Sequence, residues 1–262
     1  MIKYKYKNIK CKKGKYMRKI INVILVAIII VCLSIIGYKY YNYNKDDKLN
    51  SEIQNLQPEI NEDSLGSDGQ DQAQGENYAN SENEEELRAI NSDYKMWIQI
   101  ENTNINYPVV QGSDNDYYLD HNFKKESNIS GTVFVESTND IDNDKNIILY
   151  GHNMRNSTMF NNITNYKEES FFNEDNKINI IMNNTLYEYE VFSVYVKNVS
   201  DVSLAMGFAS TDEFINYAKG EAEKSIYKKE VNFSEDDKLI TLVTCSYEFT
   251  DARTIVVARR CN

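Results

Sequence analysis

A cysteine and an arginine near the C-terminus have residue types and a spacing that could support nucleophilic catalysis. Cys245 ends the segment TLVTC, and Arg253 follows eight residues later. A thiol with the ordinary pKa of about 8.5 is only slightly ionised at neutral pH, so a nucleophilic cysteine needs a nearby base or cation. Arginine could hold a thiolate or stabilise the oxyanion of an acyl-transfer intermediate. A buried structural cysteine, and a surface arginine paired with Asp251 or Glu248, are the alternative interpretations.

Either of the two histidines in the chain could supply the base. His152 ends the apolar segment NIILYGH, where Gly151 allows the backbone to turn and come close. His121 lies in the polar segment YYLDHNF, next to Asp120. Because residues at the strand ends of a barrel converge on one rim, His152 is the better candidate for the base.

Short strands must position these residues, since they dominate the last 180 or so residues of the chain, an ordinary size for one domain. The segment LYEYEVF alternates strictly, and Asn183 and Asn184 separate two such runs, which predicts a hairpin. The predicted strands are 96–100, 105–110, 131–136, 145–152, the two runs flanking 183–184, 238–245 and 254–260.

Two helices are predicted outside the strands. The segment SENEEELRAINSDY opens the domain with a capping serine and acidic residues in its first turn. A second helix begins at Ser210, because Glu213 has the spacing of a capping box, and Phe214, Tyr217 and Ala218 share one face. The fold class is therefore mainly β, a closed or nearly closed barrel with helices packed outside it.

The hairpin formed by the last two strands argues against a disulfide between Cys245 and Cys261. Cys245 would lie opposite a residue near Arg253, and Cys261 about seven residues further along the strand, roughly 23 Å away. The Cα atoms of a disulfide stay within about 7 Å of each other. We therefore expect Cys245 to be a free thiol.

The N-terminal segment predicts a membrane anchor. Residues 1–19 carry nine Lys or Arg and no acidic residue, and residues 20–37 carry no charge. Eighteen helical residues span roughly 27 Å, close to the hydrocarbon thickness of a bilayer. The basic flank favours a cytoplasmic N-terminus with the remaining chain outside the cell. A cleaved signal peptide is the competing interpretation, but the following residues offer no small-residue cleavage site.

The remaining composition divides the chain and excludes one class of partner. Residues 38–80 form a predicted acidic extracytoplasmic tether, poor in residues that could be buried, and residues 81–262 form the predicted folded domain that carries the candidate catalytic residues. The whole chain has a net charge of −11, and residues 1–19 contribute +9, which leaves −20 for residues 20–262. Such an acidic chain would repel a phosphate backbone, so nucleic acid is not an expected partner.

Several segments together resemble the sortases, the cysteine transpeptidases of Gram-positive cell surfaces. TLVTC followed by Arg253 is similar to the TLxTC…R signature of that family. LYGHNM, INYPVVQGSDNDYYLDHNF and GTVFVE resemble segments of its class B, and the similarity runs from about Ser81 to Arg260. The resemblance implies an eight-stranded barrel with N-terminal helices and a long helix before the strand of the nucleophile. It also implies Cys245 as nucleophile, His152 as general acid and base, and Arg253 as the group that positions substrate or stabilises the oxyanion.

The resemblance further implies the reaction and its partners. The enzyme would cleave a C-terminal sorting motif in secreted proteins through a thioester and transfer them to a cell-wall peptide amine, with no cofactor and no metal. Residues next to the nucleophile could contact the substrate: Thr244, Ser246, Tyr247 and Glu248. Val243 stands where class B members often have a serine, which removes a hydroxyl contact to the substrate. An extracellular cysteine endopeptidase and a non-catalytic tethered binding module are the alternatives.

Overall fold

The computed structural model describes residues 2–58, 81–174 and 176–261, which fall into two compact units, Met1–Lys48 and Leu49–Asn262. The described part of the first unit belongs to helix α1 (Ile2–Gln54). The apolar side chains between Ile20 and Ile36 are exposed, and from Tyr16 onwards the helix is long and apolar enough to cross a membrane. Membrane anchors and N-terminal signal sequences share these properties.

The second unit is built on a closed barrel of eight strands. The strands are β1 (Tyr94–Ile100), β2 (Asn106–Val110), β3 (Val133–Val135), β4 (Asn146–Tyr150), β5 (Ile178–Met182), β6 (Thr185–Asn198), β7 (Leu239–Cys245) and β8 (Ala252–Arg260). Their order around the barrel is β1-β2-β3-β4-β7-β8-β6-β5. The helices are α2 (Ser81–Ile90), α3 (Glu169–Asn173) and α4 (Thr211–Lys224), with short 3-10 helices at Tyr117–Leu119, Phe160–Lys167 and Val199–Asp201.

Two pairings around the barrel are parallel, β2 with β3 and β4 with β7, and the others are antiparallel. In the β4–β7 pair Tyr150 lies beside Val243, so the carboxyl ends of both strands reach the same mouth of the barrel. In the β7–β8 pair Cys245 lies directly opposite Arg253. The predicted eight-stranded barrel and its final hairpin are confirmed.

The core follows from the alternation of side chains along the strands. In β7, Ile240 and Leu242 belong to the main core cluster, whereas Leu239 and Val243 pack with the outer cluster that includes Phe214 of α4. Every residue of β7 before Cys245 is buried. Cys245 therefore lies at the rim of the barrel, at the end of a strand whose other residues are all buried.

The predicted helix before β7 is also confirmed. The Ser210 hydroxyl accepts a hydrogen bond from the Glu213 backbone N–H at 3.2 Å, and the Glu213 carboxylate accepts one from the Ala209 N–H at 2.8 Å. Phe214 and Ala218 are buried on the barrel-facing side, and Tyr217 packs beside them. The capping and the apolar face together explain where α4 starts and which side it buries.

The predicted hairpin around Asn183 and Asn184 joins β5 to β6. Both residues have positive φ values, 51° and 62°. This is the backbone of a two-residue turn whose twist matches the flanking strands, and asparagine adopts it more readily than most residues. The prediction from the asparagine pair is confirmed.

The boundary between the predicted tether and the catalytic domain differs in the structure. Residues 49–58 belong to the compact unit of the barrel rather than to a tether that extends to residue 80. Leu49, Ile53 and Leu56 have helical spacing and pack in a cluster that includes Leu87 and Trp97. Three apolar side chains on one face are enough to pack this segment against the barrel unit, although its overall composition is polar and suggested a tether. The rest of the predicted tether, 59–80, lies outside the described residues.

Candidate active site

A cleft of about 480 Å³ opens at the barrel mouth where β4 and β7 end and β8 begins. Its size lies within the range of roughly 300–1,000 Å³ that is usual for ligand sites. The residues that line it come from these strand ends and from the loops nearby: Asn115, Leu119, Phe134, Tyr150, Gly151, His152, Val199, Val243, Thr244, Cys245 and Arg253. The structure therefore brings Cys245, His152 and Arg253 to one cleft.

Cys245 is the last residue of β7, and it is half-buried at the edge of this cleft. The cysteines 32, 245 and 261, which lie in the described residues, are all free, as predicted for Cys245. Val243, two residues earlier on the same face of the strand, also lines the cleft and is 4% exposed. The valine that stands in place of the expected serine thus forms part of the cleft wall and is almost entirely buried.

His152 reaches the cleft because β4 runs parallel to β7. Two contacts continue the pairing beyond the end of β4: the Gly151 N–H donates to the Val243 carbonyl at 3.3 Å, and the Thr244 hydroxyl donates to the Gly151 carbonyl at 2.7 Å. A Cβ on residue 151 would lie 2.7 Å from Cγ of Phe160, which is fully buried. Only glycine allows this close approach, and it sets where the next residue, His152, begins.

The imidazole of His152 is oriented by a backbone carbonyl. Its Nε2 lies 2.7 Å from the Leu119 carbonyl oxygen. Because a carbonyl oxygen only accepts, Nε2 carries the hydrogen in this contact, and Nδ1 bears the lone pair of the neutral ring. A neutral ring held in this way has one nitrogen available to take a proton.

Arg253 is half-buried on β8, across the strand pair from the cysteine. Its Nη1 donates to the Ala252 carbonyl at 3.0 Å. Within the part of the chain that the structure describes, no ion pair joins this guanidinium to Asp251 or Glu248, and Glu248 is instead paired with Lys167. The guanidinium keeps donors that can face a negative charge developing in the cleft.

Thr244 and Ser246, two of the four predicted substrate contacts, are 2% and 6% exposed. The Ser246 hydroxyl donates to the Glu248 carboxylate and accepts from the Thr254 hydroxyl at 3.0 Å. Together with the bond from the Thr244 hydroxyl to the Gly151 carbonyl, these bonds engage both side chains with the protein itself. Their geometry fits residues that hold the loop after Cys245 in place.

The other two predicted substrate contacts, Glu248 and Tyr247, are more exposed than Thr244 and Ser246. Burial alone would raise the pKa of Glu248, but hydrogen bonds from Lys167 and Ser246 outweigh it and lower that pKa to about 2. The ion pair with Lys167 ties the loop after β7 to the 3-10 helix Phe160–Lys167. Tyr247 is 70% exposed, and its hydroxyl donates to the Asn153 carbonyl at 3.2 Å.

His121 is placed differently from His152. Its ring stacks on Tyr117 with centroids 4.0 Å apart, and its Nδ1 lies 2.7 Å from the Asp120 carboxylate. It is absent from the residues lining the cleft. Of the two histidines, the structure places His152 and not His121 at the cleft, and the role of His152 as the base stays a prediction.

The sequence reasoning missed Lys167 and Asn153. Lys167 contacts Ser246 at 3.3 Å across 79 residues of sequence, and no local pattern signals that contact. Asn153 directly follows His152, and its side chain donates to the Cys245 carbonyl at 2.8 Å. Only its position next to the candidate base could have drawn attention to it.

The chain is similar to known proteins across the barrel and the cleft. A family model described as the Sortase domain matches residues 98–261. Sortase B of Listeria monocytogenes is 36% identical over 165 residues, which cover 62% of this chain and 67% of that protein. The X-ray structure of Clostridium perfringens sortase B matches with a TM-score of 0.66 and 43% identity, covering 68% of this chain and 100% of that one. A Staphylococcus aureus sortase B–substrate complex matches with a TM-score of 0.70 and 27% identity, over 85% of this chain and 99% of that one.

Proposed function

The chain belongs to the sortase family of cysteine transpeptidases, and we propose that it cleaves a C-terminal sorting motif in secreted proteins and transfers them to a cell-wall peptide amine. The observation that carries the proposal is the convergence of a thiol, an imidazole and a guanidinium on one cleft. They come from the ends of three different strands, β7, β4 and β8. Membership of a family of enzymes argues against the non-catalytic binding module.

In the proposed first step, His152 takes the thiol proton and the Cys245 sulfur attacks a threonyl carbonyl carbon of the motif. The C–S bond forms and the carbonyl oxygen becomes an oxyanion, held by Arg253 and by backbone N–H groups. The C–N bond then breaks, and the leaving amine takes the proton from His152. The product is a thioester between Cys245 and the N-terminal part of the substrate.

In the proposed second step an incoming amine attacks the thioester carbonyl. Its surplus proton passes to His152, a new C–N bond forms and the C–S bond breaks. The sulfur leaves as a thiolate, and the site returns to its starting state when the protonated His152 gives that proton to the sulfur. Water in place of the amine would give hydrolysis, so transfer requires a site that favours the amine.

The cleft also suits a peptide with apolar positions. Leu119 and Val199 line it and are 37% and 47% exposed, and Phe249 is exposed in the loop after β7. Apolar side chains that face water at a cleft indicate contact with a ligand. In S. aureus sortase B a substrate complex is known, and we propose that this chain binds its sorting motif in the corresponding cleft.

The N-terminal helix supports a proposed anchoring role. Residues 20–37 would span the membrane, with the basic residues 1–19 in the cytoplasm and the barrel outside the cell. Such an anchor would hold the enzyme near exported substrates and wall precursors and raise their effective concentration.

A transfer assay tests the proposal. The full-length chain in detergent is mixed with a fluorescent peptide that carries a Pro-x-Thr motif, with and without a peptide amine. We expect a transfer product whose yield rises with amine concentration while hydrolysis falls. Hydrolysis that continues unchanged at every amine concentration would favour the endopeptidase alternative. A library of peptides varied around the Pro-x-Thr core would then identify the preferred motif.

A further inference from the structure

Asn153, the residue directly after His152, connects the backbone on two sides of the cleft. Its side-chain Nδ2 donates to the Cys245 carbonyl at 2.8 Å. Its Oδ1 accepts from Nδ2 of Asn161 at 2.6 Å, which fixes the orientation of the amide group. Its own carbonyl accepts from the Tyr247 hydroxyl at 3.2 Å. One residue thus contacts both the nucleophile and the loop that follows it.

The contact to Cys245 continues the β4–β7 ladder with a side chain. The last backbone bond on this side runs from the Gly151 N–H to the Val243 carbonyl. Two residues further along both strands, the equivalent bond of a parallel ladder would run from the N–H of residue 153 to the carbonyl of residue 245. β4 has ended at Tyr150, and residue 153 forms an isolated bridge with Met159, so the Asn153 side-chain amide supplies the donor instead. The candidate base lies between these two bonds.

We propose that Asn153 is a positioning residue for the Cys245–His152 pair. By holding the Cys245 carbonyl, it keeps the end of β7 in register with the segment that carries the imidazole. An error of about 1 Å in the placement of reacting groups can cost roughly a hundredfold in rate. The inference rests on the proposed function, because it assumes that Cys245 and His152 are the reacting groups.

If the Asn153 amide acts as a donor, replacing it with the isosteric carboxylate of aspartate should have a specific effect. Aspartate has the same shape, and its oxygen can still accept from Asn161. A carboxylate cannot donate to the Cys245 carbonyl, and it would repel that oxygen. A role in packing alone would survive Asn153→Asp, whereas a role as donor would not.

The test measures kcat and KM for peptide transfer with the full-length chain. We expect Asn153→Asp and Asn153→Ala to lower kcat by about 10- to 100-fold while KM changes less than about twofold. Asn161→Ala, which only frees the amide to rotate, should lower kcat by about threefold or more. Asn156→Asp is the matched control, since Asn156 is an exposed residue of the same loop that bonds only within it in the structure. It should retain the parent kcat.

The possible outcomes distinguish a failure of the positioning role of Asn153 from a failure of the proposed function. Fluorescence of Trp97, which is fully buried, reports whether each variant is folded at the assay temperature. A folded Asn153→Asp with the parent kcat would overturn the inference, and so would an equal loss in Asn156→Asp. If Asn153→Asp does not fold, Asn161→Ala decides, and an unchanged kcat there rejects the inference. Activity that persists in Cys245→Ala would instead reject the proposed function itself.

Discussion

The β7–β8 hairpin has a cysteine and an arginine at each of its ends. At the loop end Cys245 lies opposite Arg253, and at the other end Arg260 directly precedes Cys261. At that second end the Arg260 N–H donates to the Lys238 carbonyl at 2.8 Å. Residue types alone therefore do not distinguish the two ends.

The strand beside the hairpin distinguishes them. The parallel strand β4 brings Gly151 and His152 to the loop end, whereas Asn146 begins β4 beside Leu239 at the other. None of the described residues that line the cleft next to Arg260 is a histidine. Burial raises the pKa of the Cys261 thiol, with Glu188 and Glu190 acting in the same direction, and its sulfur donates to the Glu188 carbonyl at 3.2 Å. The loop end therefore combines a thiol, a cation and a base, whereas the other end has the thiol and the cation but, among the described residues lining its cleft, no histidine.

The largest predicted effect separates the two cysteines. Cys245→Ala should lower the transfer rate by at least about 10⁴-fold, because among the described residues that line the cleft no other carries a thiol to form the thioester. Cys261→Ala should leave the rate within about twofold of the parent, since it lies at the inactive end. Steady-state assays of both variants check this. An active Cys245→Ala enzyme would contradict the mechanism.

The second prediction compares the two histidines, His152 inside the cleft and His121 outside it. His152→Ala should lower kcat/KM by about 10³-fold, within the usual range for loss of a general acid or base. His121→Ala should change it by less than about twofold, because that ring is stacked on Tyr117 outside the cleft. The measurement is kcat/KM over the neutral pH range. Equal losses from both substitutions would show that the base is assigned wrongly.

The arginines at the two ends give the third prediction. Arg253→Lys should lower kcat by about 10²-fold, because lysine keeps the charge but loses the planar fork of donors. Arg260→Lys is the matched substitution on the same strand, and we expect kcat to stay within about twofold of the parent. Similar losses in both variants would remove the distinction between the two ends.

The loop after Cys245 gives a smaller effect, on stability. Glu248→Gln should lower the free energy of unfolding at pH 7 by about 1 kcal/mol, a modest value because the carboxylate is 40% exposed and solvent screens the pair. The folded-state pKa of about 2 lies below the ordinary value of 4.5. The contribution is therefore present above pH 4.5 and is lost as the pH falls towards 2.

Denaturant unfolding followed by Trp97 fluorescence at several pH values checks that prediction. Glu223→Gln, a change at an exposed glutamate of α4, is the control. A difference between the parent and Glu248→Gln that persists undiminished well below pH 4.5 would contradict the assignment of the low pKa.

The smallest effect concerns Val243, which lines the cleft beside Cys245. Val243→Ser restores the hydroxyl that class B members often have, and we expect KM for the peptide to fall by about two- to threefold through one added hydrogen bond. The kcat should remain close to that of the parent. An unchanged KM would show that this position does not contact the substrate.

Local patterns were sufficient to predict much of the barrel and the apposition of Cys245 and Arg253. The Asn183–Asn184 turn fixed one hairpin, and a cysteine and an arginine eight residues apart fit the short loop of another. Contacts between distant segments left no such pattern, as in the bond between Asn153 and the carbonyl 92 residues later.

Composition was misleading at one boundary of the barrel unit. The polar residues between 44 and 58 concealed the helical spacing of Leu49, Ile53 and Leu56, which pack against the barrel. An average over a segment does not reveal a narrow apolar stripe. Periodicity should therefore be examined even in segments that are polar overall.

The position of the acyl group tests the central claim most directly. The full-length enzyme is incubated with a sorting-motif peptide without amine, quenched in acid, and mapped by mass spectrometry. The account predicts a thioester on Cys245 that accumulates in the parent, is absent from Cys261 and disappears when amine is added. Peptide cleavage without any adduct on Cys245, or with an adduct on another cysteine, would contradict it.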